Sequence, residues 1–171
     1  MILRTLALAG GVSGAAAFSQ FPEYSQQYMQ RLGGAVDELS RQVTRYETDA
    51  EKVGLTLDEL LVRLGEEGPL SEKQADNMRS DIARHDRLSA DLATLQGAGP
   101  FMRAKLATHL GDRDIAERAM STYKPAAPVT FEGAVFAGSG FVAGWLGLNA
   151  LFAFLAGAWS SFTSLFRRKP A

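Results

Sequence analysis

Apolar and polar positions divide this chain into three stretches with different rhythms. From Ile2 to Phe21 the residues are almost continuously apolar and small, with Arg4 the only charge. The middle is charged and mixed, and from Met29 its apolar residues fall at Leu32, Val36, Leu39, Val43, Tyr46, Ala50 and Val53. These spacings alternate three and four, the rhythm of a coiled-coil seam rather than a broad amphipathic face. From Phe131 to Phe166 the chain is apolar again, without Lys or Arg, its only acid being Glu132 at the start. No strand-like alternation occurs, so the pattern predicts an all-α chain: two transmembrane helices flanking an extramembrane antiparallel helical hairpin or small bundle.

A run of roughly 20 apolar residues spans the hydrocarbon core of a bilayer. The N-terminal stretch fits two readings. It is a first membrane helix over residues 1–21, or a cleavable signal peptide whose Ala15-Ala16-Ala17 supplies the small-residue site. The C-terminal stretch, 131–166, exceeds one perpendicular crossing. The simplest division is a spanning helix to about Phe154 followed by an interfacial segment with Trp159, Phe162 and Phe166, and one long tilted helix is the alternative. Thr130 and Glu132 read as a cap and a first-turn acid, after a Pro-rich linker over 125–130. Arg167, Arg168 and Lys169 form a basic tail, 167–171. With Arg4 they lie on the outer sides of the apolar stretches, which places both termini in the cytoplasm and residues 22–129 across the membrane. In a Gram-negative cell that is the inner membrane, with the middle of the chain in the periplasm.

The middle, 22–124, reads as helices joined by recognisable turns. The first helix ends near Gly54. Thr56-Leu57-Asp58-Glu59 is a capping box that opens a short helix, and Gly65-Glu66-Glu67-Gly68-Pro69 is a turn. Ser71-Glu72-Lys73-Gln74 resembles a second capping box for a helix to about Leu95, folded back on the first because the connection is short. Two shorter helices follow, about Phe101–Leu110 and Arg113–Tyr123, with Asp112 as the cap between them. A small domain with one apolar seam per helix has a marginal core, which favours support by a partner, a second copy or the membrane surface.

Composition narrows the chemistry. The chain has 171 residues, a net charge of −1 and no cysteine, so disulfides and thiolate ligands are excluded. Residues 20–129 carry 14 Lys/Arg against 18 Asp/Glu. That acidic mixture argues against nucleic acid as a partner. Of the two histidines, His85 lies beside Asp86 and reads as a polar residue at the seam's edge, and His109 with Asp112 and Asp114 lacks a metal-site spacing. No nucleophile–base, metal or phosphate-loop motif occurs. The expectation is therefore no enzyme, no cofactor and no metal.

Small residues mark where helices can pack in lipid. Gly133, Ala137, Gly140, Gly144 and Gly147 recur at spacings of four and three, and Gly10 and Gly14 form a second GxxxG pair; such faces let backbones approach closely. Asn149 is the one carboxamide deep in the last stretch. It reads as a hydrogen-bonding link to another helix, or alternatively as the lining of a transport path.

The most distinctive string is Phe21-Pro22-Glu23-Tyr24-Ser25-Gln26-Gln27-Tyr28-Met29-Gln30-Arg31-Leu32-Gly33-Gly34-Ala35-Val36-Asp37-Glu38. With an apolar segment before it and the Pro125–Thr130 linker leading into a last apolar helix, it resembles a bacterial family of small two-pass inner-membrane proteins classed as a domain of unknown function. The resemblance implies a helical middle and an inner-membrane location, and brings no activity with it. Gln27, Gln30, Arg31, Gly33 and Gly34 would lie just outside the bilayer, where the two glycines bend the helix or let a partner backbone approach. With Leu39, Val43 and Tyr46 of the seam they are the interaction candidates. The expected role is a structural or accessory subunit that binds other membrane proteins or itself. The alternatives are an oligomeric transport or channel component and a secreted, tail-anchored hairpin left after signal removal.

Overall fold

The computed structural model describes residues 1–125, 127 and 129–166, the last eight of these by their backbone alone. The basic tail, Ala126, Pro128 and the side chains of Trp159, Phe162 and Phe166 lie outside the described residues. Seven α-helices occur in chain order among them: α1 (Ile2–Ser19), α2 (Phe21–Lys52), α3 (Leu57–Glu66), α4 (Pro69–Leu95), α5 (Pro100–Lys105), α6 (Arg113–Ser121) and α7 (Phe131–Phe166). A short 3-10 turn, Ala107–Leu110, precedes α6, and no strand is present among the described residues. The chain divides into two units, one of Met1–Glu23 with the segment from Lys124 onward, the other Tyr24–Tyr123.

The first unit pairs α1 with α7 in antiparallel fashion. Gly10 lies against Gly144 and Leu148, Gly14 against Gly140, and the Phe21 and Phe136 rings sit 5.2 Å apart. Two stretches are long and apolar enough to cross a membrane, one running from Ile2 through α1 into α2, the other Phe131–Ala158. Pro22 explains why α1 and α2 are separate: it has no N–H to bond back to Phe18, and its ring crowds that carbonyl. Gln20 alone stands between the two helices. At the start of α7 the Thr130 hydroxyl accepts the Gly133 N–H at 3.0 Å, so Thr130 caps the helix as its sequence predicts. The expected division near Phe154 is not found. α7 is one unbroken helix of 36 residues, about 54 Å long, because nothing from Ala153 to Ser160 interrupts its backbone ladder.

The second unit is a helical hairpin. α2 and α4 run antiparallel, bridged by Ser40 to His85 (3.0 Å), Gln42 to Asp81 (2.8 Å) and Tyr46 to Asp81 (2.9 Å). α2 ends where Gly54, at φ 74°, lets Leu55 donate back to the Ala50 carbonyl, a stop that needs a left-handed residue. The Thr56 box then forms as expected: Glu59 N–H donates to the Thr56 hydroxyl while the Glu59 carboxylate accepts from Thr56 N–H. α3 closes the tip of the hairpin, where Leu61, Ala75 and Met78 make a small core with Tyr46, Leu57, Leu60, Leu64 and Ile82 around it.

Three expectations for this unit change. α4 starts at Pro69, before Ser71, because proline is preset for the first helical position and loses no bond there. Gly33-Gly34 neither breaks nor ends α2, which runs through both as one 32-residue helix. The seam is also displaced toward the helix start. Ser25, Tyr28, Leu32 and Val36 are buried, Met29, Leu39, Val43 and Tyr46 are half-buried, and toward the end Ala50 is buried but Val53 is 62% exposed. The later segments reach the first half of α2 through Arg103 to Gln26, Asp112 to Tyr28 and Arg31 to Thr122, and Leu110, Ile115 and Ala119 of those segments are buried too.

Candidate functional site

Two surfaces gather the residues singled out by sequence, one in each unit. In the first unit, Gly10, Gly14, Gly140 and Gly144 meet. A methyl group at Gly14 would overlap the Gly140 carbonyl oxygen, and one at Gly144 would overlap the Gly10 carbonyl oxygen. The relation is reciprocal, since a methyl at Gly140 would meet the Gly14 carbonyl and Phe18 Cβ. Backbone therefore touches backbone, a geometry that gains dispersion and Cα–H···O contact where solvent gives no hydrophobic drive. Gly11 joins this face, with its Cα side against the Phe141 ring. Sequence spacing did not single out Gly11, although its place beside Gly10 was the available hint.

Gly133 is buried and Ala137 half-buried on the same side of α7, but Gly147 is not part of it. Gly147 is exposed with open space around it, and Leu148 takes the next position against α1. An α-helix turns 3.6 residues per cycle, so a face continued by steps of four reaches 148 and leaves 147 aside. Asn149 is also exposed. Its amide donates to the Trp145 carbonyl of its own helix at 2.7 Å, so within this chain it links no second helix.

In the second unit, a groove of ≈ 600 Å³ opens between α2, α4 and α6. Its walls include Arg31, Gly34, Ala35, Leu39, Ile115 and Arg118. Arg31 is held in place by donating to the Thr122 hydroxyl. Gln30 is exposed, Gln27 is half-buried, and Val43 and Tyr46 lie farther along α2. Tyr46 is occupied with Asp81, and burial pushes its phenol above the usual value. Gly33 and Gly34 have open space where a side chain would project, and both sit in ordinary helical backbone.

Asp112 anchors the floor beneath α6, a role its sequence position as a cap only partly discloses. Its carboxylate is 6% exposed. It accepts from Ile115 N–H (3.2 Å), Arg84 (3.1 Å) and Arg87 (3.2 Å), while its own N–H donates to the Tyr28 hydroxyl at 3.0 Å. One residue thus ties α2, α4 and α6 together. Burial raises the Tyr28 phenol above its ordinary value, with the Asp112 hydrogen bond acting in the opposite direction.

The histidines take part in links of the same kind. His85 Nε2 faces Ser40 at 3.0 Å and Ser89 at 3.4 Å, and its Nδ1 faces Asp86 at 3.1 Å. A carboxylate only accepts, so Nδ1 donates to Asp86 and Nε2 is left to pair with Ser40. The order serine, histidine, aspartate matches a nucleophile, base and orienting group. Ser40, however, sits mid-helix, where the surrounding N–H groups are committed to the α2 ladder and none is left to stabilise an oxyanion. His109 Nδ1 is on Asp91 at 2.7 Å, and Asp114 pairs with Arg84 at 3.2 Å, so the three groups His109, Asp112 and Asp114 are drawn to different partners. Among the described residues no three metal-ligating side chains converge.

The family described as "Protein of unknown function (DUF2937)" matches residues 2–161. The chain belongs to DUF2937. No curated protein and no solved structure matches it. The DUF2937 match takes in the glycine contact, the whole hairpin and most of α7, so both candidate surfaces fall within the family's extent.

Proposed function

We propose that this DUF2937 protein is an accessory subunit of a bacterial inner-membrane complex, anchored by α1 and α7 and offering the groove beside Gly34 to a helix of another membrane protein. The observation that carries the reading is the pair Gly33-Gly34 in mid-helix with nothing within 4 Å of a Cβ added at either position. Each glycine there costs about 0.5–1 kcal/mol relative to alanine. Neither the backbone conformation nor this chain's own packing requires that cost, so the use of the bare backbone lies with a molecule that approaches it.

The anchor follows from the apolar pair. The contact of Gly10 and Gly14 with α7 supports a retained α1, because signal removal would strip α7 of its packing partner. Arg4 and the Arg167-Arg168-Lys169 tail favour both termini in the cytoplasm, with residues 22–129 in the periplasm. A transport path gains little support: the glycine face is filled by helix packing, and Asn149 bonds to its own backbone.

Gly34→Leu provides the test. Leucine is a better helix former and meets open space, so the variant should insert and melt like the parent. In mild-detergent purification it should lose a co-purifying protein that the parent retains. An unchanged set of co-purifying proteins and an unchanged native size would defeat the proposal, and a drop from dimer to monomer would identify a second copy as the partner.

A further inference from the structure

We infer that the helix docking beside Gly34 carries an Asp or Glu about one turn from its point of contact, and that Arg31 and Arg118 hold that carboxylate; the inference rests on the reading of this groove as a docking surface. The groove's walls carry three arginines, Arg31, Arg84 and Arg118, and three acids, Glu38, Asp81 and Asp114. All three acids are engaged within the chain. Asp114 pairs with Arg84 at 3.2 Å, Glu38 turns to Arg41 and Arg45, and Asp81 accepts from Gln42 and Tyr46. Among the described residues no acid pairs with Arg31 or Arg118. Arg31 gives Thr122 only part of its donor fork, and Arg118 is exposed with its whole fork open.

The two unpaired cations stand at one end of the groove. The Thr122 hydroxyl accepts from Arg31 and donates to the Arg118 carbonyl at 3.4 Å, so one side chain joins both residues. Gln42, to which Asp81 bonds, lies about 16 Å farther along α2 from Arg31. Paired guanidinium forks match the oxygens of a carboxylate, and those of a phosphate equally well. The neighbouring surface decides between them. Bare backbone at Gly34, with Ala35, Leu39 and Ile115, makes an apolar strip beside the arginines. A free phosphate leaves that strip wet, whereas a helix with a small or apolar residue over Gly34 covers it. Arg31 precedes Gly34 by about one turn, so the acid belongs three or four residues from the one that meets Gly34.

Gln30 is exposed on α2 one turn before Gly34, which makes it the position for a probe. In the full-length protein in intact cells, Gln30 is replaced by the photo-crosslinker p-benzoylphenylalanine, and the crosslinked peptide is mapped by mass spectrometry. It should be a helix of another membrane protein with an Asp or Glu within a turn of the crosslink. Arg118→Glu and Arg31→Glu should each reduce the adduct about tenfold, since like charges would then face each other. Arg118→Glu removes no side-chain bond within the chain, so its thermal melt in detergent should match the parent's. Changing the mapped acid to Lys should restore the adduct of Arg118→Glu. If Gly34→Leu abolishes the adduct while both Glu variants keep it, the carboxylate is wrong and the docking surface stands. If no adduct forms, or Gly34→Leu leaves it unchanged, the docking surface fails and takes the inference with it. A crosslinked peptide from this same chain would overturn the proposed occupant and assign the groove to a second copy.

Discussion

Asp112 and Tyr28 show how a single residue can set the stability of the hairpin. Both groups are buried and joined to each other, and Asp112 also neutralises two arginines. The folded Tyr28 pKa is raised by burial, above an unfolded value of about 10. Its contribution is therefore complete below about pH 10 and is lost as pH rises through the folded value. Thermal melts of the detergent-solubilised protein should fall on that alkaline limb. Tyr28→Phe should flatten the limb while lowering the melting temperature at neutral pH, because Asp112 N–H loses its acceptor. An alkaline limb of unchanged steepness would show that Tyr28 does not govern it; Tyr24 and Tyr46, also raised by burial, would be the remaining sources. Asp112 could be read from sequence as a cap, since a cap is local. Its arginine partners lie 28 and 25 residues upstream, and Tyr28 lies 84 residues upstream, so neither was legible.

At the level of elements, α1 and α7 depend on contact between backbones. Gly14→Leu forces a side chain into the Gly140 carbonyl, and overpacking of this kind costs about 1–3 kcal/mol even where neighbours can move. Its melting temperature in detergent should drop clearly, whereas Gly147→Leu, facing open space, should leave it nearly unchanged. Equal effects at the two sites would contradict the observed rotation of α7 against α1. α2 gives the complementary lesson. Its caps, stop and helical rhythm are visible in the sequence because each depends on neighbours within a turn. Gly33-Gly34 do not interrupt α2 because helix propensity is a weak term, smaller than the burial of Tyr28, Leu32 and Val36 on either side of them.

For the whole molecule, the proposed topology makes one simple demand. Cysteines placed at Arg87 and Asp58 should react with an impermeant maleimide added to intact cells, and one placed beside Arg168 should react only after lysis. Labelling of the 168 position in intact cells, or protection of 87 and 58, would overturn the orientation. The sequence alone determined the all-helical class, the two apolar stretches, most helix ends and the GxxxG pairs, because these follow from chain periodicity and from bonds spanning a single turn. Only the tertiary structure decided that Gly144 and Leu148 rather than Gly147 face α1, that α7 is one helix, that Asp112 joins three elements, and that Gly34 opens on a groove. All of these except the continuity of α7 depend on how one helix is rotated and set in register against another. In α7 small residues occur on several sides, so many rotations look alike along the chain until the partner's own shape selects one.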